Sequence, residues 1–279
     1  MKNKYYKYRE LYIKGSKRIQ QFTESIFKNA EIWFAAPIDL NDPFDCNMRL
    51  HFNGSTDNDW VEYIDDIISQ FPSLKKRLEM VKSQKKWSTT PGISDVGANQ
   101  HKNHYVDSSL FCLSKKNNSV PMFSYYADGH SGIAIEFSFS DQEVPCGFSY
   151  NLSGEIGVSN EGMLVFADVN YMPTFPELNF HRIRKTDKLI PHLIFTKSKE
   201  WEHEEEFRIF RRNIAKSSVP FDRKLITRII FGCKTTNVEV EIVKDWLKNW
   251  PSKIVLSKAV PSTDRFELQI NDFDMVGCG

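Results

Sequence analysis

The run Trp201-Glu202-His203-Glu204-Glu205-Glu206-Phe207-Arg208-Ile209-Phe210 constrains the fold most, because it sets carboxylates and a guanidinium inside a block that otherwise reads as buried apolar structure. Taken as a strand, alternate side chains share a face, so Glu204, Glu206 and Arg208 point one way and Glu205, Phe207 and Ile209 the other. A buried row of acids needs cationic partners, solvent in a cleft, or a chemical task, since an unpaired carboxylate is unfavourable away from water. The same residues also suit a solvated edge strand, or a helix start in which Glu202 to Glu206 favour the dipole.

Lysine and arginine total 37 against 36 acids, so no basic excess marks a nucleic-acid binder, although a neutral total leaves room for a basic face. The 41% apolar content is enough for a sizeable core. The five cysteines (Cys46, Cys112, Cys146, Cys233 and Cys278) are scattered without CxxC or His spacing, which points to reduced thiols in a cytoplasm. Neither a membrane span nor a signal peptide is expected, because no run of about 18 apolar residues occurs and the N-terminus is polar and aromatic.

Periodicity predicts a mixture of elements. Tyr5 to Arg9 reads as a strand, Ser16 onward as a helix with Ile19, Phe22, Ile26 and Phe27 on one face, and Glu31 to Ala36 as a strand ended by Pro37. Residues 57–87 read as two amphipathic helices parted near Pro72, a helical insertion, and 89–107 as a mobile polar loop. Strands are expected at 110–113, 132–137, 163–171, 204–210, 226–231, 254–256 and 266–270. Helices are expected at 121–128, 238–250 and somewhere between 178 and 195. Without regular βαβ alternation the class is α+β, as a single domain over 1–279.

No GxGxxG, P-loop, GxSxG or HExxH pattern is present, so the chemistry rests on dispersed residues. Asn41-Asp42-Pro43-Phe44-Asp45 has strong turn chemistry, and Asp42 and Asp45 are also placed to approach a polar substrate. In Pro121 to Gly132, aromatics precede a polar turn into a strand; Tyr126 there offers a ring face and a hydroxyl, while His130 reads as structural. Tyr8-Arg9 brings a guanidinium that suits a phosphate or carboxylate, or a plain surface ion pair.

Taken in order, Tyr6-Lys7-Tyr8-Arg9, Asn41 to Asp45, Phe111-Cys112-Leu113-Ser114, Met122 through Tyr126-Ala127-Asp128 to His130 and Gly132, Lys197, Trp201, Glu204, Glu206, Arg208 and Ile229-Ile230-Phe231-Gly232 resemble a widespread bacterial family described as a domain of unknown function. Phe123 departs from it, standing where Trp is expected. More distantly, the chain resembles the ADP-ribosyltransferase superfamily, especially DarT-like toxins. That resemblance implies a mixed or antiparallel split sheet. It also implies Arg9 on an early strand, Tyr126 in the middle and Glu204 or Glu206 late.

The likeness further implies NAD as substrate, held by Arg9, Tyr8, Asn41, Asp42, Tyr126 and Arg208, with Glu204, Glu206 and Tyr126 catalytic and no metal. A glutamate beside the ribose suits a sugar-cation transition state, and like charges on Glu204 and Glu206 repel unless Arg208 or Arg9 compensates. A nucleic-acid acceptor, RNA or single-stranded DNA, would meet Lys85, Lys86, His101, Lys102 and His104, or Arg182, Arg184 and Lys185, which otherwise form solvated faces. An antitoxin or regulatory protein would be a partner of such a toxin or phage-defence enzyme. Two other classes stay open: a nuclease or phosphoesterase whose Asp42, Asp45, Glu204 and Glu206 converge on Mg²⁺ or Mn²⁺, and a non-enzymatic binding or sensor module.

Overall fold

Alternating aromatic and cationic residues at the N-terminus form the strand at the middle of a nine-stranded sheet. The computed structural model describes residues 2–46, 50–85, 107–140, 158–159, 162–176, 178–185 and 189–277. We number the strands of this sheet β1 (Asn3–Arg9), β2 (Ser109–Ser114), β3 (Ile133–Phe139), β4 (Val158–Ser159), β5 (Gly162–Asp168), β6 (Glu206–Arg212), β7 (Ile226–Phe231), β8 (Ile254–Pro261) and β9 (Leu268–Val276). Their spatial order is β9-β8-β7-β3-β1-β2-β6-β5-β4. The β7–β8 pair is parallel and the other pairs are antiparallel, so the architecture is α+β around a large mixed sheet.

The helices are α1 (Gln21–Lys28), α2 (Asp57–Gln70), α3 (Lys75–Ser83), α4 (Val120–Tyr126), α5 (Phe180–Ile183), α6 (Leu189–Ile194) and α7 (Asn237–Leu247). The main core packs α1 and α7 on one sheet face, with Phe27, Trp246 and Trp250 against Ile229, Ile254 and Leu256. A second cluster, Tyr6, Tyr8, Met122, Phe123 and Ala134, seats α4 on the other face. Helices α2 and α3 bury Trp60, Tyr63, Ile64, Ile67, Leu78 and Val81 against Phe180 of α5, and the short helical turn opened by Pro72 separates them, as the sequence suggested. The loop expected at 89–107 lies outside the described residues except for Asp107.

Three expectations shift for local reasons. The first helix starts at Gln21 rather than Ser16, because the preceding residues close a small turn with Tyr12 bridged to Ile19, and the Gln20 side chain then accepts from the Phe22 amide. The run 163–171 splits into β5 and a short strand, Asn170–Met172, which pairs instead with Thr196–Ser198. The acid run leaves the strand: Lys199–Glu204 forms 3₁₀ turns, Glu205 takes a left-handed conformation (φ 42°), and β6 begins only at Glu206. Glu204 and Glu206 therefore do not owe their proximity to strand alternation.

The feature that positions the site is a parting of the sheet. β1 pairs with β3 along its full length but meets β2 only at Tyr6 and Ser114. Beyond that rung the edge of β2 turns to Ala35, whose amide and carbonyl exchange bonds with Leu110 (2.9 and 2.8 Å). Between the two rungs the Lys7 ammonium donates to the Cys112 carbonyl (2.9 Å), so that a side chain fills a gap in the ladder.

Candidate active site

A cavity of about 260 Å³ opens at this parting, close to the lower end of the range typical of small-molecule sites. One wall is the end of β1, with Lys7 and Arg9; another is the turn Asn41 to Asp45; the third carries Tyr126, Lys197, Trp201, Glu204 and Glu206. Arg9, Tyr8, Asn41, Asp42, Tyr126, Glu204 and Glu206, remote from one another in sequence, all line it.

The third wall is an ionic cluster withdrawn from water. Lys197, 8% exposed, lies 2.5 Å from Glu204, 3.2 Å from Glu206 and 3.7 Å from Asp45. Behind it, Arg208 is fully buried. Its Nε donates to Glu206 Oε1 (2.8 Å), Nη1 to Asp45 Oδ1 (2.7 Å) and the Ile194 carbonyl (2.6 Å), and Nη2 to Asp45 Oδ2 (2.5 Å) and Glu206 Oε2 (2.9 Å). All five of its N–H donors are thereby used. Three acids share two cations, which leaves the cluster one negative charge in excess.

This corrects the expectation for Arg208: it touches no part of the cavity, and with every donor engaged it holds Asp45 and Glu206 in place rather than a ligand. Glu206 is a held group too. Burial works to raise its carboxyl, but Arg208 and Lys197 outweigh this and bring it down to about 2. Burial likewise opposes the charge on Lys197, and Glu206, Glu204 and Asp45 overcome it and raise its ammonium above the ordinary value.

Glu204 faces the cavity from the end of the 3₁₀ segment. Its Oε1 accepts from the Tyr126 hydroxyl (2.7 Å) and its Oε2 from Lys197. Burial and then the Glu204 charge raise the Tyr126 phenol above its usual value, so it remains a donor at neutral pH. Trp201 lies over the Lys197 ammonium (5.0 Å to the ring centre) and closes that side.

The turn Asn41 to Asp45 uses its local chemistry as well: Asp42 Oδ1 accepts from the Phe44 amide (2.9 Å), and the Asp45 amide donates to the Asp42 carbonyl (3.1 Å). Asp42 lines the cavity, and its Oδ2 is buried without a partner among the described residues. Tyr8 is committed elsewhere: its hydroxyl donates to the Lys116 carbonyl and accepts from the Ser119 amide, and its ring packs edge-on to Phe123. Tyr8 therefore offers a cavity edge but no free hydroxyl. His130 stacks on Phe123, outside the cavity.

Arg9 is anchored through Nε to Thr23 Oγ1 (3.1 Å), and its Nη2 is buried without a partner among the described residues. Lys197, Lys7 and Trp201 were not singled out as site residues from sequence, although all three fall within the motif series; a lysine four residues before a tryptophan carries no signal of its own. Of the basic clusters, Arg184 pairs with Asp66 and Lys185 with Glu62, a solvated face on α2. Lys85 pairs with Asp57 (2.7 Å), while Lys86, His101, Lys102 and His104 lie outside the described residues.

Among the described residues no helix is long and apolar enough to cross a membrane, and no group of three His, Cys, Asp or Glu is disposed to hold a metal ion. No family model matches the chain, and no solved structure matches it. A stretch of 189 residues, 62% of the chain, is 27% identical to nuclear protein localization protein 4 of Saccharomyces cerevisiae and covers 28% of that protein's length. A partial likeness of this degree carries neither fold nor activity across.

Proposed function

We propose that this chain is an NAD-consuming ADP-ribosyltransferase of a bacterial toxin or phage-defence type, a member of the motif family named above, with a split sheet of ADP-ribosyltransferase-like form. The observation that carries the reading is the cleft where β1 leaves β2: the Arg9 guanidinium, whose buried Nη2 has no partner among the described residues, on one wall, and a Tyr126–Glu204 couple on another. The acidic cluster suits the positively charged nicotinamide ribose end of NAD, and the cationic β1 wall suits its phosphates. The cavity is too small for a whole dinucleotide, so the adenosine end extends through its mouth.

In this reading the bond between the nicotinamide nitrogen and the ribose C1′ breaks with its electron pair leaving on the ring, which becomes neutral. Positive charge builds on the sugar, and the Glu204 carboxylate, oriented by Tyr126 and Lys197, stabilises it. An acceptor oxygen or nitrogen then bonds to C1′, and its proton passes to a carboxylate acting as base. RNA or single-stranded DNA is an acceptor class such a mouth would admit. The metal-dependent alternative is disfavoured by a specific observation: Asp45 and Glu206 are already bonded by Arg208, and a divalent ion would have to displace it together with Lys197.

The test is incubation of purified protein with NAD labelled in the adenosine half, together with protein, RNA or single-stranded DNA pools. Released nicotinamide and labelled polymer are the readouts. Label in one pool names the acceptor; nicotinamide alone indicates hydrolysis of NAD. Glu204→Gln is expected to abolish release while the melting transition is preserved, and wild-type release by that variant would remove Glu204 from the reaction.

A further inference from the structure

A second cavity, of about 220 Å³, shares Lys197 with the catalytic one and none of its other lining residues. It lies between the Asn41 to Asp45 turn and the short parallel pair of Asn170–Met172 with Thr196–Ser198. Phe44, Met172, Pro173, Phe175, Pro176 and Leu193 make most of its wall, and two threonines and a serine complete it beside Lys197. Lys197 is the one ionisable residue of this lining, and its ammonium is engaged by Asp45, Glu204 and Glu206. The cavity thus offers apolar surface and a few neutral hydroxyls. A charged ligand would lose its water there and gain no counter-charge.

Two of the lining rings reach the surface: Phe44 is 56% exposed and Phe175 37%, and they meet edge to face with centres 6.0 Å apart. The turn explains the placement of Phe44. Its amide is bonded to Asp42 Oδ1 (2.9 Å), and while Asp42 and Asp45 line the catalytic cavity, Phe44 lines the other. Volume selects the size of the occupant: an apolar cavity of about 150 Å³ takes benzene, whereas drug-sized ligands need about 300 Å³ or more.

We propose that this cavity binds a small neutral aromatic molecule of one ring or a fused pair, packed against Phe44, Phe175 and Met172. Ring edges and a thioether favour an aromatic over an aliphatic guest, and the hydroxyls of the wall suit one neutral polar substituent. The inference does not depend on the NAD reading. A guest here would bear on both Phe44 and Lys197, and so on two walls of the catalytic cavity.

NMR of the methionine methyl groups of the full chain, titrated with benzyl alcohol, tests this, because Met172 lines this cavity and Met122 the catalytic one. The Met172 signal, assigned through Met172→Leu, should shift and saturate with a Kd of about 1 mM or tighter, as for a ligand of this size. Benzoate and benzylamine keep the ring and add a charge, and should bind at least about tenfold more weakly. Cyclohexylmethanol should lose about threefold. N-acetylphenylalanine amide, which carries the ring on a peptide backbone, should also lose about tenfold, since its amides would be desolvated. Phe175→Ala should weaken benzyl alcohol about tenfold with the unfolding transition retained. An unmoved Met172 signal, a shift confined to Met122, or benzoate and benzylamine binding as tightly as benzyl alcohol would overturn the proposal, and none of these needs a variant that must fold. Equal binding of the peptide amide would make the cavity a receptor for a protein side chain and overturn the small-molecule assignment.

Discussion

Replacing Lys197 with Met removes the cation that three carboxylates share and leaves Arg208 as the cluster's sole positive charge. Breaking a buried ion pair from one side costs about 3–5 kcal/mol. The structure sets an independent ceiling on the electrostatic part, because the variant can escape by protonating one carboxylate. For a glutamate whose unfolded pKa is near 4.5, doing so at pH 7 costs about 3 kcal/mol. The expected loss at pH 7 is therefore about 3 kcal/mol, beyond any packing change. The pH dependence follows from the sign. Above pH 4.5 the folded variant binds one proton more than its unfolded chain, so its stability falls as pH rises, by about 1.4 kcal/mol per unit, until the group ionises in the folded state as well. Wild type behaves in the opposite sense: Glu206, depressed to about 2, contributes stability that is present above 4.5 and lost as pH falls through 2. Urea unfolding of both proteins between pH 5 and 8 measures this. A deficit below about 1 kcal/mol at pH 7, or one that stays constant over the range, would refute the shared-cation account.

Further outcomes are expected elsewhere. In the reaction proposed above, Tyr126→Phe removes the donor to Glu204 Oε1 and should lower NAD turnover roughly 10- to 100-fold with the fold retained, as for one hydrogen bond to a charged group; unchanged turnover would place Tyr126 outside that reaction. Gly132→Ala puts a Cβ 2.2 Å from the Arg9 carbonyl and 3.0 Å from the Ala127 backbone, so thermal unfolding should register a loss above about 2 kcal/mol. His181 is fully buried among Phe52, Trp60, Tyr63 and Phe180, with neither ring nitrogen bonded among the described residues. Burial and then Arg184 bring its pKa down to about 4, with Lys185 acting in the same sense and Asp59 and Glu62 opposing. Since this folded pKa lies below the usual 6.5, stability should be lost as pH falls from 6.5 through 4, and His181→Leu should flatten that limb in fluorescence of Trp60.

The elements were legible where periodicity is local. Ile226–Phe231 appears as a strand at the expected residues, and the helix expected at 238–250 is capped one residue earlier by Thr236, with Glu239 completing the capping box, and ends at Leu247. Residues 57–87 yielded their two helices because apolar spacing and Pro72 both act within a few residues. The exit of Glu204 from the strand was not legible, since a left-handed Glu205 breaks the alternation that residue types alone imply. Nor was the role of Arg208, whose carboxylate partner Asp45 is 163 residues away.

The sequence by itself set a run of acids beside an apolar block, leaving open whether they are buried, and placed Arg9, Asp42, Tyr126 and Glu204 within one ordered series of motifs. Only the tertiary structure decided how the charges divide: Arg208 and Lys197 satisfied by acids, Lys7 and Arg9 left facing a cavity. The physical reason is range. Strand and helix periods are set by neighbours along the chain, whereas ion pairing and desolvation depend on which distant segments the parting of β1 from β2 brings together.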